Sequence, residues 1–353
     1  MVIPHKHLVL ASGLGLICVT GLLFFASFVT VSPTSSATEN SNLSATSTTI
    51  VAETESQASV FFTGDSMLAR HVETLLRQDL IKPYDFISLF SVAQAVFTNF
   101  ESAMSNPHVP TPSGAMRFSS TQTSLTLLES LNISHASLAN NHSRDYGREG
   151  YAYASTSLRE IGIVPFGDAV TVSSSSLSYV TVGDTKIAVL GVHTLFVPPD
   201  QTILKSLLME AKAKSDFQFV YIHWGDEYEL IHNQSQETLA SWFGKEGVDA
   251  VIGHHPHVVQ DIGMIGTMPV FYSLGNFIFD QYFSEDVKTG LVLGLEVSEK
   301  NLMWRLYPQS QCAKATPCLM SKVQEEVFLT TLAERSEPLL FDQIMAKNIM
   351  IPR

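Results

Sequence analysis

Positive charge is scarce in this chain of 353 residues: 21 Lys and Arg stand against 34 Asp and Glu, a formal balance of −13. Such a surface is poorly suited to gripping nucleic acid, or any long polyanion, along an extended track, so no nucleic-acid partner is expected. The signatures of several large enzyme classes are also missing. No P-loop occurs, no dinucleotide fingerprint follows a strand, and no serine sits in a nucleophile elbow; each absence argues against the corresponding chemistry. No internal repeat is evident. Cysteine is limited to three residues. Cys18 lies inside an apolar run without the small-residue context of a lipoprotein signal, while Cys312 and Cys318 either close a short disulfide loop outside the cell or remain two free thiols.

A long hydrophobic run stands near the start. Leu8 to Val31 carries no charge, and its 24 or so residues, at 1.5 Å each, suffice to cross a hydrocarbon core of roughly 30 Å. Lys6 precedes the run and no further Lys or Arg appears until Arg70, so the positive-inside rule places a short N-terminus in the cytoplasm and the rest outside. A cleaved signal peptide would have a shorter apolar core. The expectation is therefore residues 1–31 as cytoplasmic tip and transmembrane anchor, a single-pass protein of the cell membrane with its main domain extracellular or periplasmic. Residues 32–58, rich in Ser, Thr, Ala and Asn, read as a flexible linker.

What remains, about 295 residues with a hydrophobic fraction suited to a sizeable core, fits one α/β domain with an appendage better than two small domains. The spacing predicts helices over Met67–Leu76, Ser120–Leu131, Arg148–Ile161, Gln201–Lys214 and Gln236–Lys245, and a hairpin of Ser178–Val182 with Lys186–Val192 around Gly183-Asp184.

The chemistry is concentrated where apolar runs stop. Val248–Ile252 leads into Gly253-His254-His255-Pro256-His257-Val258-Val259-Gln260, three imidazoles in four residues. If Pro256 holds His255 extended, His255 and His257 face one ion and His254 points elsewhere. Four further β-rich runs end in groups of ligand type: Val60–Thr63 before Asp65, Ala95–Thr98 before Glu101, His135–Ala139 before Asn140, Asn141 and His142, and Phe219–Ile222 before His223, Trp224 and Asp226. In open α/β sheets, sites form at the carboxyl ends of strands, so one edge is expected to carry all of these. Carboxylate, imidazole and amide together suit Mn²⁺, Zn²⁺ or Fe²⁺ better than Ca²⁺. Glu227, Asn276 and Asp280 are candidates for supporting roles, and Arg117 and Arg144 are the basic residues nearest the motifs.

The segments FTGDSMLAR, NFE, LANNHSRDYG, IHWGDEYE, GHHPHVVQ and YSLGNFIFDQ, in that order, resemble the capsule-synthesis CapA family, poly-γ-glutamate biosynthesis proteins of the calcineurin-like metallophosphatase superfamily. The resemblance covers residues about 60 to 295. It implies a two-sheet α/β/β/α metallophosphatase-like sandwich over residues 59–310, a C-terminal extension of unassigned role at 311–353, and one or two divalent ions held by Asp65, Glu101, Asn141, His223, His255 and His257. By the same resemblance His142 is placed near the leaving group as general acid. Asn140, Trp224, Glu227, His254 and Asn276 are candidates to support the ligands or meet substrate. Where the wider metallophosphatases carry a His two residues after the first Asp, this chain has Met67, a poor ligand for such ions.

The sequence supports two readings of function. One is a metal-dependent hydrolase of phosphoesterase type, acting outside the cytoplasm on an anionic polymer or its lipid-linked or phosphorylated precursor; with a single ion, attack on an amide or ester is equally open. The other is a non-catalytic subunit of a membrane-bound polymer ligase or export complex, its metal site structural or degenerate.

Overall fold

Successive side chains of a strand face opposite ways, so a strand apolar at every position has to be covered on both faces. The computed structural model of the protein describes residues 58–352 apart from 113, 299 and 300, and within them this rule generates four layers. The first sheet starts with the parallel strands β1 (Val60–Ser66), β2 (Ala95–Phe100), β3 (His135–Ser137) and β4 (Val164–Phe166). A second sheet is then built from β5 (Leu177–Val182), β6 (Thr185–His193), β7 (Phe217–His223), β8 (Ala250–His254), β9 (Ile262–Ile265) and β10 (Met268–Phe271), ordered β5-β6-β7-β8-β10-β9. The chain afterwards returns to the first sheet. β11 (Asn276–Ile278) pairs with β1, and β12 (Thr289–Val297), β13 (Asn301–Ala313), β14 (Thr316–Leu319) and β15 (Asn348–Pro352) extend the sheet to the order β14-β13-β12-β1-β2-β3-β4, with β15 on β13.

Alternation shows directly in the cores. In β1, Val60 and Phe62 enter the layer between the sheets, whereas Phe61 faces the helices α1 (Arg70–Arg77), α2 (Tyr84–Phe90), α3 (Thr126–Ser130) and α4 (Gly147–Glu160). In β7, Phe219 and Tyr221 enter the central layer, while Val220 and Ile222 face α5 (Gln201–Lys214) and α6 (Gln234–Lys245). The mixed α/β two-sheet arrangement agrees with expectation. Among the described residues no helix is long and apolar enough to cross a membrane; the expected anchor and its linker, Ala58 apart, lie outside them.

Helices α4, α5 and α6 fall within two residues of the spans read from the sequence. The first expected helix starts later, at Arg70, because Met67, Leu68 and Ala69 are buried without regular structure. The span 120–131 divides into a 3₁₀ turn, Thr123–Leu125, succeeded by α3. The boundary drawn at residue 310 falls inside β13, and residues 311–352 belong to the same layers. Helices α7 (Lys322–Arg335) and α8 (Phe341–Met345) contribute Leu329, Leu332 and Ile344 to the central core, and α7 touches β13 of one sheet and β9 of the other. Cys312 and Cys318 are bonded across the β13–β14 hairpin.

Two glycines let strands approach closely where they lead to polar ends. A Cβ on Gly64 would lie 2.0 Å from the Gly275 carbonyl oxygen, and one on Gly253 would lie 2.0 Å from that of Tyr272. Gly64→Ala should cost about 3 kcal/mol or prevent folding, read as the shift of the urea midpoint; an unshifted midpoint would mean that β1 and the 274–276 segment are not packed this way. A second prediction concerns His135, stacked on Phe97 at 4.3 Å in the core and pushed by burial down to about 4. A histidine kept neutral in the fold contributes stability that is present above pH 6.5 and lost as pH falls toward 4. His135→Phe should therefore spare about 2–3 kcal/mol of the loss between pH 7 and 4.5, and parallel acid limbs for the two proteins would refute a buried neutral ring.

Candidate metal centre at the strand ends

Asp65 is the innermost polar group of the site and is fully buried. Its Oδ1 accepts from Asn99 Nδ2 at 2.8 Å and its Oδ2 from the backbone N–H of His255 at 3.2 Å. The rings of His254 and His257 each place Nδ1 3.4 Å from one of its oxygens. Burial by itself would raise this carboxyl, yet the two imidazoles hold it well below the usual carboxylate range. Strands from both sheets are joined here, β1 and β2 from the first with β8 from the second.

Glu101, one residue past β2, differs. It is fully buried and neither carboxylate oxygen has a hydrogen-bond partner. His257 Nε2 lies 3.7 Å and His142 Nε2 3.9 Å from its Oε1. Without a cation, burial pushes this carboxyl well above its ordinary value, while the same burial opposes charge on His257, which the neighbouring Glu101 and Asp65 nevertheless raise to about 9. A buried carboxylate bare on both oxygens is the environment a divalent ion relieves, so the donor set fits a metal. Ligand atoms of Asp65, Glu101 and His223 lie within 4.8 Å of one another, and so do those of Glu227, His255 and His257. At metal–ligand bonds of roughly 2.0–2.3 Å, each set can converge on one ion. The arrangement is thus two adjoining sets linked through Glu101 and His257.

The remaining ligand candidates flank these sets. His223 Nε2 is 2.9 Å from Asn141 Oδ1, its Nδ1 3.2 Å from Asn99 Nδ2, and its ring 4.8 Å from that of His255. Burial first, then neighbouring imidazole, drives His223 well below the usual histidine range and His255 to about 3; His255 Nδ1 has no hydrogen-bond partner, whereas His223 has Asn141 on one ring nitrogen and Asn99 on the other. Asn140 is a brace: its Nδ2 donates to Asn99 Oδ1 at 3.1 Å and to the Phe100 carbonyl at 2.9 Å, and its Oδ1 accepts from the His142 backbone N–H. Asn276 Oδ1 faces His257 Nδ1 at 3.0 Å and so orients that ring.

His142 has the geometry of a proton carrier. Its Nδ1 lies 2.8 Å from Asp145 Oδ2, its ring stacks on Phe118 at 3.9 Å, and its Nε2 looks toward Glu101. A carboxylate on Nδ1 fixes which ring nitrogen is presented inward.

Several expectations are corrected. His255 and His257 are not in an extended segment: their φ angles are +98° and +59°. The rings converge, with centroids 5.8 Å apart, because the chain turns sharply, the His255 N–H reaching Asp65 and the Pro256 carbonyl accepting from Tyr228 N–H. His254 does not point away; as the last residue of β8 it faces Asp65. Trp224 is not at the site. It follows His223 with opposite parity and lies in the core under α5 and α6, its Nε1 donating to the Tyr272 carbonyl. Asp280 is taken by Arg70 and Arg144 by Asp168, while Arg117, an exposed residue, donates through Nε to the Asp145 carbonyl. Met67 turns into the helix-side core, its sulphur accepting from the Ala69 N–H at 3.1 Å. Sequence reasoning missed Asn99, Asp145, Phe118 and His193. Of these, Asn99 opens the segment NFE and Asp145 lies three residues after His142, so both stood within the motifs read from the sequence.

Comparison with known proteins joins the motifs to a lineage. The "PGA biosynthesis protein CapA" of Bacillus subtilis (strain 168) is 30% identical over 253 residues, 66% of this chain and 66% of the relative. The "Capsule biosynthesis protein CapA" of Bacillus anthracis is 27% identical over 261 residues, 65% of this chain and 61% of the relative. The chain therefore spans about two thirds of the length of these curated relatives. Among solved structures, a hypothetical protein from Thermus thermophilus aligns with TM-score 0.44 and 16% identity over 74% of this chain and 98% of its own. A phosphatase from Mycoplasma pneumoniae aligns with TM-score 0.42 and 14% identity over 71% and 86%. The family model described as "Bacterial capsule synthesis protein PGA_cap" matches residues 59–281, a span that contains all the candidate ligands and His142, and the chain belongs to that family.

Proposed function

We propose that this protein is a metal-dependent hydrolase of phosphoesterase type, working outside the cytoplasm in the synthesis or export of a capsular polymer. The observation that carries this reading is Glu101: a buried carboxylate bare on both oxygens, ringed by Asp65, His223 and His257. Asp65, Glu101 and His223, with Asn141 beside them, and Glu227, His255 and His257 would hold one or two divalent ions, Mn²⁺, Zn²⁺ or Fe²⁺ by the mixture of donors. An ion held there supplies Lewis acidity at a phosphoryl or acyl oxygen. The chain's own residues do the rest. His142, fixed at Nδ1 by Asp145, presents Nε2 to protonate the departing oxygen. Asn99, Asn140 and Asn276 keep the ligands from turning away. The substrate class is an anionic polymer or its lipid-linked or phosphorylated precursor, in keeping with the capsule relatives. The Leu8–Val31 run supports a membrane anchor with the domain outside, and the Cys312–Cys318 bond suits an oxidising compartment.

The second reading, a non-catalytic subunit of a membrane-bound polymer ligase or export complex, draws on Met67. With its sulphur engaged in the core, one ligand position usual in metallophosphatases is closed.

The full-length protein purified without chelator should contain close to one equivalent or more of divalent metal by elemental analysis, and His255→Ala/His257→Ala should lose most of it. Metal-free protein that stays so after Mn²⁺ or Zn²⁺ is added would favour the assembly role. His142→Ala should keep its metal while turnover of a simple phosphoester falls about 10²- to 10⁴-fold; metal lost along with activity would make His142 a ligand.

A further inference from the structure

His193 stands at a sixth strand end of this edge and is outside the ligand set. It closes β6 directly beside His223, its register partner in β7, with ring centroids 5.9 Å apart. Only 4% of it is exposed. Its Nδ1 lies 2.8 Å from the Ala169 carbonyl, which can only accept, so Nδ1 carries the hydrogen and Nε2 is left as a bare acceptor. That Nε2 is buried and has no partner. A buried acceptor without a donor is costly, and such sites are commonly completed by ligand or water.

The same ring lines a cavity of about 250 Å³ whose other walls include Val170, Val172, Phe196, Pro198 and Ile203. Phe196 meets the His193 ring edge-on at 4.7 Å. The rim is apolar and open, Val170, Phe196 and Ile203 all being exposed. No basic side chain lines the cavity, and its two carboxylates are already engaged: Asp168 with Arg144 and the N–H groups of Val170 and Thr171, Asp200 with the first turn of α5. Nothing there would compensate a ligand charge.

We infer that this cavity is a substrate subsite that takes an uncharged apolar group attached to the reacting phosphoryl or acyl centre, with His193 Nε2 accepting a hydrogen bond from an O–H or N–H next to that centre. The inference rests on the hydrolase reading of the adjoining site and adds its specificity: an acidic protein grips the apolar flank of an anionic substrate and leaves the charge to the metal edge. His193 is then a specificity residue and not a metal ligand.

The test is calorimetric binding of stable phosphonates to the metal-loaded, full-length protein. Octylphosphonate should bind at least tenfold tighter than methylphosphonate, and 1-hydroxyoctylphosphonate several-fold tighter again. Ile203→Trp, which fills the cavity from its exposed side, should abolish the octyl advantage while leaving metal content and methylphosphonate affinity unchanged. His193→Phe should remove the hydroxyl advantage alone. Methylphosphonate binding without any chain-length dependence, or an octyl advantage that survives Ile203→Trp, overturns the subsite, and a hydroxyl advantage that survives His193→Phe overturns the role of Nε2. Protein that takes up no metal and binds no phosphonate overturns the hydrolase reading and the subsite with it.

Discussion

A carboxylate that water does not reach governs the strand ends of this protein. A charged group taken out of solvent costs several kcal/mol unless partners replace the lost hydration, and Asp65 is met from three directions: an asparagine on the neighbouring strand, a backbone amide of the histidine turn and two imidazoles. Those partners come from both sheets. The register between the sheets and the sharp turn after β8 are consequently parts of one electrostatic solution, and the close backbone approach at Gly64 is what brings β1 deep enough to take part. Glu101, equally buried but without donors, is the charge this solution leaves unmet.

The turn itself illustrates the balance. Two non-glycine residues with positive φ in three positions are unfavourable by of order 1–3 kcal/mol each, and the proline between them favours an extended predecessor. The tertiary bonds of His255 N–H and of the Pro256 carbonyl override that local preference. The observed geometry gathers the rings of His254 and His257 and the amide of His255 around one carboxylate, which an extended strand, with its strict alternation, would not do.

Much of the architecture was legible because the apolar runs end abruptly in polar residues, a pattern that survives any uncertainty about strand boundaries. The same runs revealed the ends of β1, β2, β3, β7 and β8. Less was legible where the determining contact is distant in sequence. Asn99 looks like any polar strand residue until β1 and β7 flank it; His193 sits one residue beyond a hairpin that otherwise reads correctly; Trp224, next to His223 in the chain, lies away from the site because neighbouring residues leave a strand on opposite sides. The C-terminal segment shows no motif at all, since its contribution is apolar area against a core assembled from elsewhere.

The position of β1 has a consequence for how the chain comes to be folded. This strand, near the beginning of the described residues, lies in the middle of its sheet, with β2 on one side and β12, more than two hundred residues later, on the other. Pairings of such long range delay folding, because loop-closure entropy is lost before the contact is gained. The fold therefore cannot be completed from its N-terminal half as synthesis proceeds: β1 remains a half-paired, wholly buried-type edge until β12 is available. During that interval the nascent chain is a substrate for aggregation or for chaperones, and the order of synthesis rather than the final stability sets the period of risk.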